Sequence, residues 1–116
     1  MKLNYITIVV ENLEKSVEFY TELAELKIIR KINLPNGKIV FLANNEGETI
    51  LELAEVESAE SVDTKSLTIS FLAENLEEVH KKASELNYNP TEILNHPPKP
   101  KHFQLNDPDG IRIEFS

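Results

Sequence analysis

The sequence predicts an α+β fold: two tandem βαβββ modules whose curved mixed sheets surround a concave cavity. Three observations carry this expectation. Each half opens on an alternating apolar stretch that passes through an asparagine into an amphipathic helical pattern. Each half then continues as short β-like runs separated by turn residues. The halves also match one another, since Ile6, Glu11, Asn12, Leu13, Glu14, Glu22 and Leu23 recur 63 positions later as Ile69, Glu74, Asn75, Leu76, Glu77, Glu85 and Leu86. The closing segments correspond too, Gly47…Glu52-Leu53 with Gly110…Glu114-Phe115. A period of 63 residues is too long for a solenoid and describes a duplicated supersecondary unit. The modules are expected at about 1–56 and 66–116, with a polar linker at about 57–65.

Taken in order, Leu3–Val10 alternates Ile6, Ile8 and Val10 against Tyr5, Thr7 and Val9, the period of a half-buried strand. Asn12 suits a helix N-cap, and the acid that follows favours the helix dipole. The first helix carries Leu13, Val17, Tyr20 and Ala24 on one stripe, widened by Phe19 and Leu23. Strands are expected at Lys27–Leu34, Lys38–Ala43 and Thr49–Ala54, with turns at Pro35-Asn36-Gly37 and Asn44-Asn45-Glu46-Gly47. The second half repeats the order. Leu67–Ala73 alternates Ile69, Phe71 and Ala73 against Thr68, Ser70 and Leu72. Asn75 with Glu78 has the spacing of a capping box, and Leu76, Val79, Ala83 and Leu86 form the helix stripe. Strands follow at Thr91–Asn95, His102–Leu105 and Ile111–Phe115, the last two joined by the tight turn Asp107-Pro108-Asp109-Gly110. Pro97, Pro98 and Pro100 forbid ladder pairing between them and mark a stiff loop at a sheet edge.

Composition narrows the function. The 116 residues make one ordinary domain by length, with 41% hydrophobic and 28% charged residues and neither a disordered nor a fibrous signature. Twenty acids against 12 bases leave a net charge of -8, which repels phosphate backbones, so no nucleic-acid partner is expected. The absence of cysteine excludes disulfides, thiolate metal sites and cysteine nucleophiles. The apolar stretch Ile6–Val10 is too short for a signal peptide or a membrane span, so a cytoplasmic protein without a membrane partner is expected.

Strand parity sorts the side chains by face. Ile111, Ile113 and Phe115 point at the helix, which leaves Arg112 and Glu114 on the other side. Leu51 and Leu53 likewise leave Ile50 and Glu52, and Phe103 and Leu105 leave His102 and Gln104. The concave surface is thus expected to collect these residues together with Tyr5, Thr7, Thr68 and Ser70. His80, beside Lys81 and Lys82, and His96, in the proline loop, are expected as solvated groups. Arg112 either recognises an anionic substrate or pairs with Glu114.

The doubled βαβββ order, the run Asn12-Leu13-Glu14-Lys15-Ser16-Val17-Glu18-Phe19-Tyr20 and the hairpin Asp107-Pro108-Asp109-Gly110-Ile111-Arg112-Ile113-Glu114-Phe115 resemble the vicinal oxygen chelate superfamily. That group includes glyoxalase I, fosfomycin-resistance proteins, extradiol dioxygenases and bleomycin-resistance proteins. The resemblance spans nearly the whole chain and implies the glyoxalase/bleomycin-resistance fold. It places metal ligands on the opening and closing strands of each half, often as His and Glu. The corresponding positions here are Tyr5, Glu52, Thr68 and Glu114, so both carboxylates are present and both imidazoles are replaced. A firm zinc, nickel or iron site needs three or four donors, and two neutral hydroxyls are poor substitutes for imidazole. The two-His, one-carboxylate triad is missing, which argues against a dioxygenase.

Two readings follow from the resemblance. In the first, a metal-free protein of the bleomycin-resistance kind holds a small molecule in the sheet cavity, usually across a homodimer in that family. Its ligand-binding residues would be Tyr5, Thr7, Thr68, Ser70, His102, Gln104 and Arg112, and no cofactor is expected. In the alternative, a lyase or isomerase of glyoxalase type uses Glu52 and Glu114 as catalytic groups. A weakly bound divalent ion (zinc, nickel, manganese or iron) would then sit on Glu52, Glu114 and His102.

Overall fold

The structure is a computed structural model that describes residues 1–57 and 66–116. Apart from Glu57, the expected linker at 57–65 lies outside the described residues. The chain divides into two compact units, Met1–Asp63 and Thr64–Ser116. The expected α+β class is observed, with a mixed four-stranded sheet in one unit and a mixed three-stranded sheet in the other.

The first unit runs β1 (Tyr5–Val9), α1 (Leu13–Glu18), β2 (Lys27–Leu34), β3 (Gly37–Ala43) and β4 (Ile50–Val56), with sheet order β1-β4-β3-β2. β1 is parallel to β4, and the other pairs are antiparallel. The β2–β3 hairpin closes on Leu34 opposite Gly37. A Cβ on Gly37 would lie 2.3 Å from the Glu55 carbonyl oxygen, so only glycine lets β3 start this close to β4. Asn12 caps α1 by accepting from the Lys15 amide at 3.1 Å. A second cap comes from β4: Glu55 Oε2 accepts the Leu13 amide at 3.1 Å. Glu55 thereby satisfies one of the free donors of the first turn.

The expected single α-helix changes pitch. Phe19–Leu23 is π-helical, and the chain leaves it through Glu25 at φ 59 with the Leu26 amide bonded to the Tyr20 carbonyl. Phe19 and Tyr20 are both fully buried and meet edge to face, with centroids 4.9 Å apart. The buried stripe is consequently Leu13, Ser16, Phe19, Tyr20 and Leu23, and Val17 and Ala24 are only half-buried. It packs with Leu42, Leu51 and Leu53 in the core of this unit, where each such buried apolar side chain stabilises by roughly 1.5–3 kcal/mol.

The second unit runs β5 (Thr68–Phe71), α2 (Leu76–Glu85), β6 (Phe103–Asn106) and β7 (Arg112–Phe115), with order β5-β7-β6. β5 is parallel to β7, and β6 is antiparallel to it. Asn75 caps α2 through the Glu78 amide at 3.2 Å. Phe115 stacks between Phe71 and Phe103 at centroid distances of 5.7 and 5.2 Å. In the β6–β7 turn, Asp107 accepts from the amides of Asp109 and Ile111 at 2.8 and 2.9 Å, and Gly110 takes φ +83.

The strand expected at Thr91–Asn95 does not form. One isolated bridge, Leu94 with His102, stands in its place. Thr91 is held three residues upstream of Leu94, yet its partner Gln104 lies only two beyond His102, so one residue is left over and a regular ladder breaks. The Thr91 hydroxyl fills part of the gap by accepting the Gln104 amide at 2.9 Å. His80 reinforces the segment: its Nε2 lies 2.8 Å from the Thr91 carbonyl and its ring sits edge-on to Phe103. The expectation of a solvated His80 is therefore corrected, since this imidazole ties α2 to the segment after it. No helix among the described residues is long and apolar enough to cross a membrane.

Candidate functional site

On the sheet side away from its packed leucines, the first unit presents Tyr5 and Thr7 from β1 in register with Ile50 and Glu52 from β4. Phe41 of β3 lies opposite Glu52, and Arg30 of β2 lies opposite Phe41. Thr7 Oγ1 donates to Glu52 Oε2 at 2.9 Å. Tyr5 is 51% exposed and Glu52 is half-buried. The row is thus one acid held by a hydroxyl, with an aromatic ring on its other side. Two hollows in this unit, of about 710 and 490 Å³, are lined by other residues, around the β2–β3 turn and beside α1.

In the second unit the equivalent face carries two rows. Thr68, Arg112 and Asn106 form one, and Ser70, Glu114 and Gln104 the other. Glu114 is the most engaged group. Its Oε2 accepts from Lys99 Nζ at 2.9 Å and from Gln104 Nε2 at 3.0 Å, and its side chain is 14% exposed. The Lys99 hydrogen bond, then that of Gln104, holds the carboxyl below its ordinary value. Partial burial opposes this, and the charges of Lys99 and His102 add to it. Arg112, the partner weighed from sequence, is not the one that pairs with Glu114; Lys99 takes that place. His102 is buried, and because a carbonyl can only accept, its Nδ1 carries a proton donated to the Pro100 oxygen at 2.9 Å.

Neither Lys99 nor Phe41 stood out in the sequence. The alternation of Phe41 with the buried Val40 and Leu42 could have placed the ring. Lys99 comes from the proline loop and carries no periodic signal.

The donor set was tested against a divalent ion. Tyr5 and Thr68 offer neutral oxygens, Glu52 already accepts from Thr7, and an ammonium occupies an oxygen of Glu114. Among the described residues no group of three or more His, Asp or Glu side chains is placed to hold a metal ion. These residues do not fit a firmly bound zinc, nickel, manganese or iron.

The Glyoxalase/Bleomycin resistance protein/Dioxygenase superfamily matches residues 2–115. The chain belongs to this superfamily. Among curated relatives of this superfamily member are the uncharacterized protein YwbC of Bacillus subtilis, 29% identical over 98% of this chain and 95% of its own, and a lactoylglutathione lyase of Neisseria meningitidis, 25% identical over 99% and 89%. A solved structure of similar fold, TnmS3, an antibiotic-binding protein from Streptomyces sp. CB03234, superposes with a TM-score of 0.80 at 18% identity, covering 100% of this chain and 94% of that one.

Proposed function

We propose that the chain binds a small organic molecule on an open sheet face and holds no divalent metal firmly. The Lys99–Glu114 contact carries this reading. A cationic amine 2.9 Å from Glu114 Oε2 already supplies the positive charge that a metal would bring to that carboxylate. A carboxylate held below its ordinary value by such a neighbour is also a weak base, which counts against proton abstraction by Glu114. The face of the first unit offers apolar area from Tyr5, Phe41 and Ile50 beside the Thr7 hydroxyl, and that of the second, by itself, offers polar contacts from Thr68, Ser70, Gln104 and Arg112.

Elemental analysis and melting curves test the reading together. The purified chain is expected to carry well under one equivalent of zinc, nickel, manganese or iron. Added metal and chelator should leave the melting temperature unchanged, whereas a matching small molecule raises it by mass action. Stoichiometric metal that disappears in Glu114→Gln would sink the proposal. The lactoylglutathione lyase relative supports the second reading, an enzyme of that kind. Turnover of methylglyoxal with glutathione, abolished in Glu114→Gln, would establish it instead.

A further inference from the structure

We infer that the open face of the three-stranded sheet receives an anionic group of the ligand, a carboxylate or a phosphate, with Arg112 as its anchor. The inference rests on the small-molecule reading above and adds the charge class. β7 is the central strand of its sheet, so Arg112 stands between Thr68 and Asn106 and next to the Ser70–Glu114–Gln104 row. Lys99, the other cation at this face, is committed to Glu114, while Lys81, Lys82 and Lys101 lie outside its strands, Lys81 paired with Glu85 and Lys101 with Glu77. Arg112 is exposed and makes no ion pair or side-chain hydrogen bond among the described residues.

The consequence is a charge balance opposite to that of the chain. Twenty acids face 12 bases overall, yet on this face Lys99 cancels Glu114 and, among the described residues, no acid pairs with the guanidinium. A guanidinium presents paired N–H donors in a planar fork that matches carboxylate and phosphate oxygens. Thr68 and Asn106, one strand spacing of about 4.8 Å to either side, add a hydroxyl and an amide donor within reach of the same anion. Lys99 spends one of its three ammonium hydrogens on Glu114 and keeps the others available. A cationic ligand group would meet Arg112 unscreened, and a neutral one would leave the fork unused.

Probes of one shape and different charge decide the matter. Benzoate, phenyl phosphate, benzamide and benzamidine are titrated into the isotope-labelled full chain, with the Arg112 Nε–H signal and the amides of Thr68, Ser70 and Glu114 followed by NMR. Benzoate or phenyl phosphate is expected to shift these signals saturably, more weakly as ionic strength rises; the tighter of the two names the source of the anion. Arg112→Gln should weaken that binding on the order of tenfold or more, and Arg112→Lys, which keeps the charge and loses the fork, by less. Should Arg112→Gln fail to fold, the loss in Arg112→Lys carries the comparison. Benzamide or benzamidine binding at these amides as tightly as benzoate, unaffected by Arg112→Gln, overturns the inference and leaves the small-molecule reading standing. No response to any of the four also overturns it, while the melting screen separately decides the broader reading.

Discussion

The two units carry the same hydroxyl–acid pair in different surroundings. Thr7 lies in register with Glu52, and 63 positions on Ser70 lies in register with Glu114. In the first unit the acid keeps its hydroxyl partner and has Phe41 on its other flank. In the second the antiparallel neighbour is Gln104, and the acid turns to that amide and to Lys99. The next position along the face is Ile50 in one unit and Arg112 in the other. A duplicated backbone has thus been kept while the acid of one face is flanked by an aromatic ring and that of the other by an amide, with an arginine on the same central strand. The edges differ as well. β2 completes the first sheet with a tight hairpin, whereas its counterpart in the second half is reduced to the Leu94–His102 bridge and the Thr91 contacts.

The largest test of this contrast concerns the turns. Asp107→Ala strips two amides of their acceptor, one of them buried, and should cost about 2–3 kcal/mol in chemical denaturation. In the first unit's β3–β4 turn Asn45 makes exposed side-chain contacts to Lys27 and Glu48 among the described residues, so Asn45→Ala should cost less than about 0.5 kcal/mol. Equal losses would show that the units lean on their turns alike.

A smaller effect, about 1 kcal/mol, is expected from Thr91→Val, which removes the hydroxyl acceptor of the Gln104 amide. Faster hydrogen exchange at Gln104 checks it. Unchanged exchange would mean that the Thr91 segment does not stand in for a strand.

Glu114→Gln is expected to lose up to about 1 kcal/mol near neutral pH, because it removes the carboxylate charge and leaves the Lys99 ammonium facing a neutral amide. Glu114 titrates below its ordinary value of 4.5 in the folded chain, so its contribution is complete above that value and fades as the pH falls through the depressed one. The gap between wild type and variant should therefore close on acidification. A gap that widens in acid would contradict the Lys99 pairing.

Much of the fold was legible from local pattern. The alternation around Ile8, Leu53 and Ile113 marks which face is buried, and the asparagines at 12 and 75 cap their helices as read. Asp107-Pro108-Asp109-Gly110 announced its turn because the left-handed position needs glycine. The π-helical segment, the broken strand and the second role of Glu55 were not legible. Each depends on what packs against it: two adjacent aromatics sharing one core, one surplus residue in a would-be ladder, and a strand acid reaching a helix end. The candidate site divides in the same way. Strand alternation accounts for the rows Tyr5–Ile50, Thr7–Glu52, Thr68–Arg112 and Ser70–Glu114–Gln104, whereas His102, expected on the same face, precedes β6 and is buried.

Which partner each charge takes was decided only by the tertiary structure. Lys99 is 15 positions from Glu114, on a loop without periodicity, and a flexible side chain finds its carboxylate through space. By itself the sequence determined the duplicated module, the facing of its strands and the presence of both acids. Tertiary structure decided that Glu114 is neutralised from within and that Arg112 has no ionic partner among the described residues, because ion pairing follows distance in the folded chain and not order along it.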